Sequence, residues 1–96
     1  MAIDQHVLAQ RDVILRIAHR HGGSHVRIFG SRARGQSKAD SDLDLLIVLE
    51  PGRSLLDLVA IKQDLEDHLR CRVDVVTEAA LSPYIRDDVL KDAISL

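Results

Sequence analysis

A chain of 96 residues can build one hydrophobic core and has no room for a second domain of useful size, so residues 1–96 are expected to fold as a single domain. Hydrophobic residues make up 46% and charged residues 29%, which excludes a disordered or fibrous chain. The net charge of −2 and the scarcity of aromatics, Phe29 and Tyr84 alone, count against the basic footprint and base-stacking platform of a direct nucleic-acid binder. The longest apolar run, Leu45 to Leu49, falls far short of the roughly 18 residues of a membrane helix, and the start of the chain carries no apolar signal-peptide core. A cytoplasmic protein is expected. The single Cys71 has no intrachain partner and reads as a bystander, so packing must hold the fold.

In chain order, Val7, Leu8, Ile14, Leu15, Ile17 and Ala18 recur at helical spacing and predict one amphipathic helix ending at His21-Gly22-Gly23. Val26 to Phe29 reads as a short strand running into Gly30-Ser31. A polar, flexible stretch from Arg32 to Ser41 precedes a second strand, Asp42 to Leu49, whose apolar run marks it as buried. Glu50-Pro51-Gly52 breaks that strand. Ser54 with Asp57 resembles a helix cap with an acidic third position, and Leu55, Leu58, Val59, Ile61, Leu65 and Leu69 give the helix its apolar face, with Lys62 and Glu66 on the wet side. Arg72 to Val76 is a third strand. Ser82-Pro83 opens a last helix with Ile85, Val89, Leu90, Ala93 and Ile94 as its stripe. The order helix, strand, strand, helix, strand, helix predicts an α/β (α+β) layer fold.

Two features concentrate chemistry. Gly30-Ser31-Arg32-Ala33-Arg34-Gly35 stands at a strand end, where glycine lets backbone approach a phosphate and a following helix start offers N–H groups to an anion; alone, it is ordinary loop chemistry. Ser41-Asp42-Leu43-Asp44 stands at the mouth of the buried strand. Alternation puts Asp42 and Asp44 on one face with Cα atoms roughly 6.5–7 Å apart, able to converge on one ion or simply to be solvated. Asp74 interrupts Val73-Asp74-Val75-Val76, which otherwise reads as core, and a carboxylate there needs a metal or a partner such as Arg72. If the two strands are neighbours, three carboxylates crowd together and a hard divalent cation relieves them.

Gly30-Ser31, ten intervening residues, then Asp42-x-Asp44 and a third Asp on a later strand resembles the signature of the polymerase-β-like nucleotidyltransferase superfamily. The strings GSRARG and SDLDLLIV are similar to its smallest members, the minimal nucleotidyltransferases paired with HEPN-type toxins. The resemblance implies a small mixed sheet with helices packed on it. It implies that Gly30 and Ser31, with Arg32 a weaker candidate, hold the β- and γ-phosphates of ATP. It further implies that Asp42, Asp44 and Asp74 bind one or two Mg²⁺ ions, Asp74 also helping to deprotonate the attacking hydroxyl. The implied activity is transfer of AMP from ATP to a hydroxyl, a tyrosine, of a partner HEPN ribonuclease toxin, for which the chain acts as antitoxin in a hetero-oligomer. Two alternatives stand beside it: a non-catalytic antitoxin that occludes its partner with the last helix and the exposed part of the first, and a nucleotidyltransferase acting on a small molecule.

Other candidates carry less. His19, His21 and His25 lie around a Gly-Gly turn without cysteine or a metal-binding spacing. Arg11, Arg16 and Arg20 fit a solvated helix face. Tyr84 could accept a nucleotide, but is expected to be half-buried beside the last helix.

Overall fold

The computed structural model describes residues 5–34 and 42–96. The expected first helix is two: α1, Gln5–Ala9, and α2, Arg11–Arg20, separated at Gln10. β1, Gly23–Phe29, and β2, Leu43–Leu49, follow, then α3, Leu55–Leu69, and β3, Val73–Val76. A single 3-10 turn at Glu78–Ala80 leads to α4, Pro83–Asp92, and to a two-residue strand β4, Ile94–Ser95. Of the stretch expected to be flexible, residues 35–41 lie outside the described residues.

The sheet is mixed, in the order β3-β2-β1-β4. β1 runs antiparallel to both β2 and β4, whereas β2 and β3, joined through α3, are parallel, as a helical crossover requires. Alternation along β2 sorts its residues onto two faces. Leu43, Leu45 and Ile47 are buried with Ile14, Ile17 and Ala18 of α2, Val26 and Ile28 of β1, Ile61 and Leu65 of α3, and Val73 of β3. Asp44, Leu46 and Val48 take the opposite face, where Leu46 is also buried.

Local chemistry explains most boundaries. Ser54 Oγ accepts from the Leu56 N–H at 3.2 Å and the Ser54 N–H donates to Asp57 Oδ2 at 2.9 Å, the reciprocal cap that starts α3. Its N-terminal half nevertheless leaves the core: Leu55 and Leu56 are 74% and 78% exposed and Val59 is exposed too, so the expected apolar face shrinks to Ile61, Leu65 and their flanks. Pro83 occupies the first turn of α4 behind the Ser82 cap, as expected. No residue of that helix is fully buried, and Ile94, assigned to it from periodicity, pairs instead with Ile28 in the sheet.

β1 begins three residues before its expected start because a bulge lies between Ser24 and Arg27, where His25 adopts φ 50°. Gly23-Ser24-His25 carries no strand signal of its own; its pairing with Val48 and Leu49 draws it in. His21 Nε2 meets Asp64 Oδ2 at 2.8 Å and ties the end of α2 to α3, and this hydrogen bond holds the Asp64 carboxyl below its ordinary value.

Candidate active site

The chemistry-bearing residues gather at one end of the sheet. Asp44 is the central one: Phe29 is its partner on β1 and Asp74 its partner on β3. Residues paired in register project to the same face, so Asp44 and Asp74 stand side by side on adjacent strands, with Asp42 just before β2 begins. Asp44 is half-buried, whereas Asp42 and Asp74 are exposed. Asp74 is therefore not, as expected, a carboxylate inside a core strand: β3 is the edge of the sheet and Asp74 is exposed on it. Nor does Arg72 neutralise it, since no Asp74 ion pair occurs among the described residues.

Burial, the charge of Asp74 and the charge of Asp42, in that order, push the Asp44 carboxyl up from 3.8 to about 6. Among the described residues, however, no three His, Cys, Asp or Glu side chains stand in a ready-made metal cluster. Charges influence one another over longer distances than a metal–ligand bond spans.

The Gly30 turn is on the same end. Gly30 has φ 78°, a conformation glycine adopts freely, and a Cβ placed on it would collide with Asp44 Oδ2. The backbone then coils through residues 31–34, with the Ala33 and Arg34 N–H groups donating to Gly30 O at 3.2 and 3.3 Å. Ser31 is half-buried. Arg32 is only 4% exposed, which makes it a packed residue of the turn rather than a free surface cation. Gly30, Ser31, Arg32, Asp42, Asp44 and Asp74, the residues singled out in the sequence, thus lie at one end of one sheet; Ser41 and Gly35 lie outside the described residues.

Three things were not legible. Phe29 borders Asp44 only through strand pairing. An ion pair between Arg34 and Asp92 at 3.3 Å, partners 58 positions apart, bridges α4 and the turn. Tyr84 is 94% exposed, not half-buried. No local signal in the sequence announces any of them.

The four-stranded mixed sheet with its glycine turn against Asp44 is the fold of a known class of nucleotide-transferring enzymes, as comparison with known proteins shows. The chain belongs to the nucleotidyltransferase domain family, which it matches over residues 11–96, and it is a nucleotidyltransferase. A protein of Methanocaldococcus jannaschii assigned by name to the protein adenylyltransferases is 41% identical over 83 residues, covering 86% of this chain and 89% of that one. The protein adenylyltransferase MntA of Thermococcus cleftensis is 36% identical over 78 residues, 81% and 79% of the two chains. A solved structure described as a minimal nucleotidyltransferase superposes with TM-score 0.85 at 47% identity, covering 98% and 97%. The MNT antitoxin in complex with the tri-AMPylated HEPN toxin of Shewanella oneidensis shares the fold, with TM-score 0.68 at 16% identity over 94% and 70%.

No helix among the described residues is long and apolar enough to cross a membrane.

Proposed function

We propose that this chain, as one domain over residues 1–96, transfers AMP from ATP to a tyrosine hydroxyl of a HEPN-type toxin and thereby acts as its antitoxin. The observation that carries the reading is the placement of Asp44, in register with Asp74 and in contact range of Gly30. The reading is supported by the names of the two archaeal relatives, both protein adenylyltransferases, and by the toxin-bound antitoxin of the same fold.

Asp42, Asp44 and Asp74 are the residues that would hold Mg²⁺, and their chemistry fits: they supply only oxygen donors, and their mutual repulsion is what a hard divalent ion relieves. When bound, such an ion neutralises charge on the phosphate oxygens and lowers the pKa of an attacking hydroxyl. The chain's own residues position the reactants and accept a proton. The Gly30-Ser31 turn brings backbone close to the β- and γ-phosphates because no side chain at Gly30 stands in the way. Asp44 orients the α-phosphate end beside the turn. Asp74, exposed on the edge strand, is open to an incoming hydroxyl and serves as the proton acceptor at its carboxylate. The tyrosine oxygen attacks the α-phosphorus, the bond to the bridging oxygen breaks, and pyrophosphate leaves.

The test mixes the purified chain, its neighbour-encoded toxin, Mg²⁺ and α-labelled ATP. Label is expected on the toxin, lost with Asp42→Asn or Asp44→Asn and with removal of Mg²⁺. Unlabelled toxin would defeat the reading. Toxin still neutralised by the two Asn variants would favour occlusion, for which the exposed Tyr84 and Ile85 of α4 supply a surface. Pyrophosphate release with small alcohols alone would point to a small-molecule acceptor.

A further inference from the structure

Between the glycine turn and α4 lies a recess of about 160 Å³. Phe29 and Gly30 form one side, Ile85, Asp88 and Val89 the other, and the Arg34–Asp92 ion pair joins the two. Ligand pockets for whole drug-sized molecules run to roughly 300–1,000 Å³, so this recess suits one ring system and not an entire nucleotide.

We propose that the recess holds the base of the nucleoside triphosphate, and that Asp88 favours adenine over hypoxanthine by accepting a hydrogen bond from the exocyclic amino group of adenine. The inference rests on the adenylyl-transfer reading and adds to it where the base lies and how adenine is told from its deaminated form. Gly30 belongs both to the proposed phosphate turn and to the recess wall, so a nucleotide whose phosphates lie on the turn has its other end within reach of the recess. Direction agrees as well. Asp44 has Asp74 on one side in the sheet and Phe29 on the other; the acceptor hydroxyl belongs with Asp74, which leaves the Phe29 side for the nucleoside.

The lining has matching chemistry. The Phe29 ring is a flat apolar partner for a base, and Ile85 and Val89 add aliphatic surface. A carboxylate accepts hydrogen bonds and donates none, so the Asp88 side chain favours an edge that donates. Adenine presents an amino group at the edge where hypoxanthine presents a carbonyl, which would set oxygen against oxygen.

The experiment measures dissociation constants, with Mg²⁺ present, for ATP, inosine triphosphate and inorganic tripolyphosphate. It compares the native chain with Asp88→Asn and Ile85→Asp, both at exposed positions of α4 where folding is insensitive to the change. The native chain is expected to prefer ATP over inosine triphosphate by about tenfold or more, because a site built to receive a donor rejects the analogue lacking it. Asparagine can donate to the carbonyl, so Asp88→Asn is expected to bring the two to within about threefold. Ile85→Asp is expected to weaken ATP about tenfold more than it weakens tripolyphosphate, because both anions meet the repulsion of the new charge but only ATP loses the apolar wall. Equal affinities on the native chain, an undiminished preference in Asp88→Asn, or equal weakening of ATP and tripolyphosphate by Ile85→Asp overturns the proposal. The expected preferences without label transfer to the toxin would count against the proposed function and leave the recess standing. A chain that binds neither ATP nor tripolyphosphate overturns both.

Discussion

Asp44→Asn removes the carboxylate that the fold itself disfavours, so it is expected to stabilise the metal-free protein while destroying the site. A carboxyl raised from 3.8 to about 6 binds its proton more tightly in the folded chain than in the unfolded one. The folded state therefore loses stability as pH rises from about 4 to about 6, and above that range carries the full penalty of an ionised Asp44. Converted directly, the raised value amounts to about 3 kcal/mol. Asp44 is only half-buried, and solvent screening brings the expected gain of the Asn variant down to about 1 kcal/mol. Urea unfolding in chelator between about pH 4 and pH 8 measures it: the native chain should lose stability across the acidic limb and the variant should lack that component. Mg²⁺ supplies the second arm, since a ligand at ten times its dissociation constant adds about 1.4 kcal/mol to the form that binds it. It should stabilise the native chain and leave Asp44→Asn nearly unmoved. A variant less stable than the native chain above about pH 6, or one that Mg²⁺ protects equally, would refute the reasoning.

Gly30→Ala forces a side chain into a positive-φ position against Asp44 Oδ2; a loss of about 1 to 3 kcal/mol in urea midpoint analysis is expected, together with weakened binding of tripolyphosphate. Ser54→Ala removes half of the α3 cap at the far side of the fold. It should lower stability by about 1 kcal/mol and leave label transfer to the toxin intact, which separates stability from site chemistry. Leu45→Ala opens the centre of the core, where the side chain is fully buried; a loss of about 2 to 5 kcal/mol in equilibrium unfolding is expected.

How far the sequence reached depended on whether the deciding interaction was local. α3 and α4 could be placed because Ser54 with Asp57, and Ser82 with Pro83, set their starts within a few residues. Buried β2 was visible as an unbroken apolar run. β1 was read too short, since its bulged first half pairs only through partners more than twenty positions away. The extent of burial on α3 and α4 was overestimated for a related reason. Periodicity names an apolar stripe, but the sheet's width determines how much of that stripe it can cover, and Leu55, Val59 and Ile85 fall beyond it.

By itself the sequence determined the chemical types at the site and their order: glycine and serine at a strand end, two aspartates one alternation apart, and a third after a helical crossover. The first two follow from neighbours a few residues apart, for which backbone geometry alone fixes relative position; the third is known from the sequence only by its type and its place after α3. Only the tertiary structure decided that Asp74 stands on an open edge strand in register with Asp44, that Gly30 touches the same carboxylate, and that α4 leans on the glycine turn. Those relations arise when strands choose their register, and register is set by which residues the whole core can bury at once.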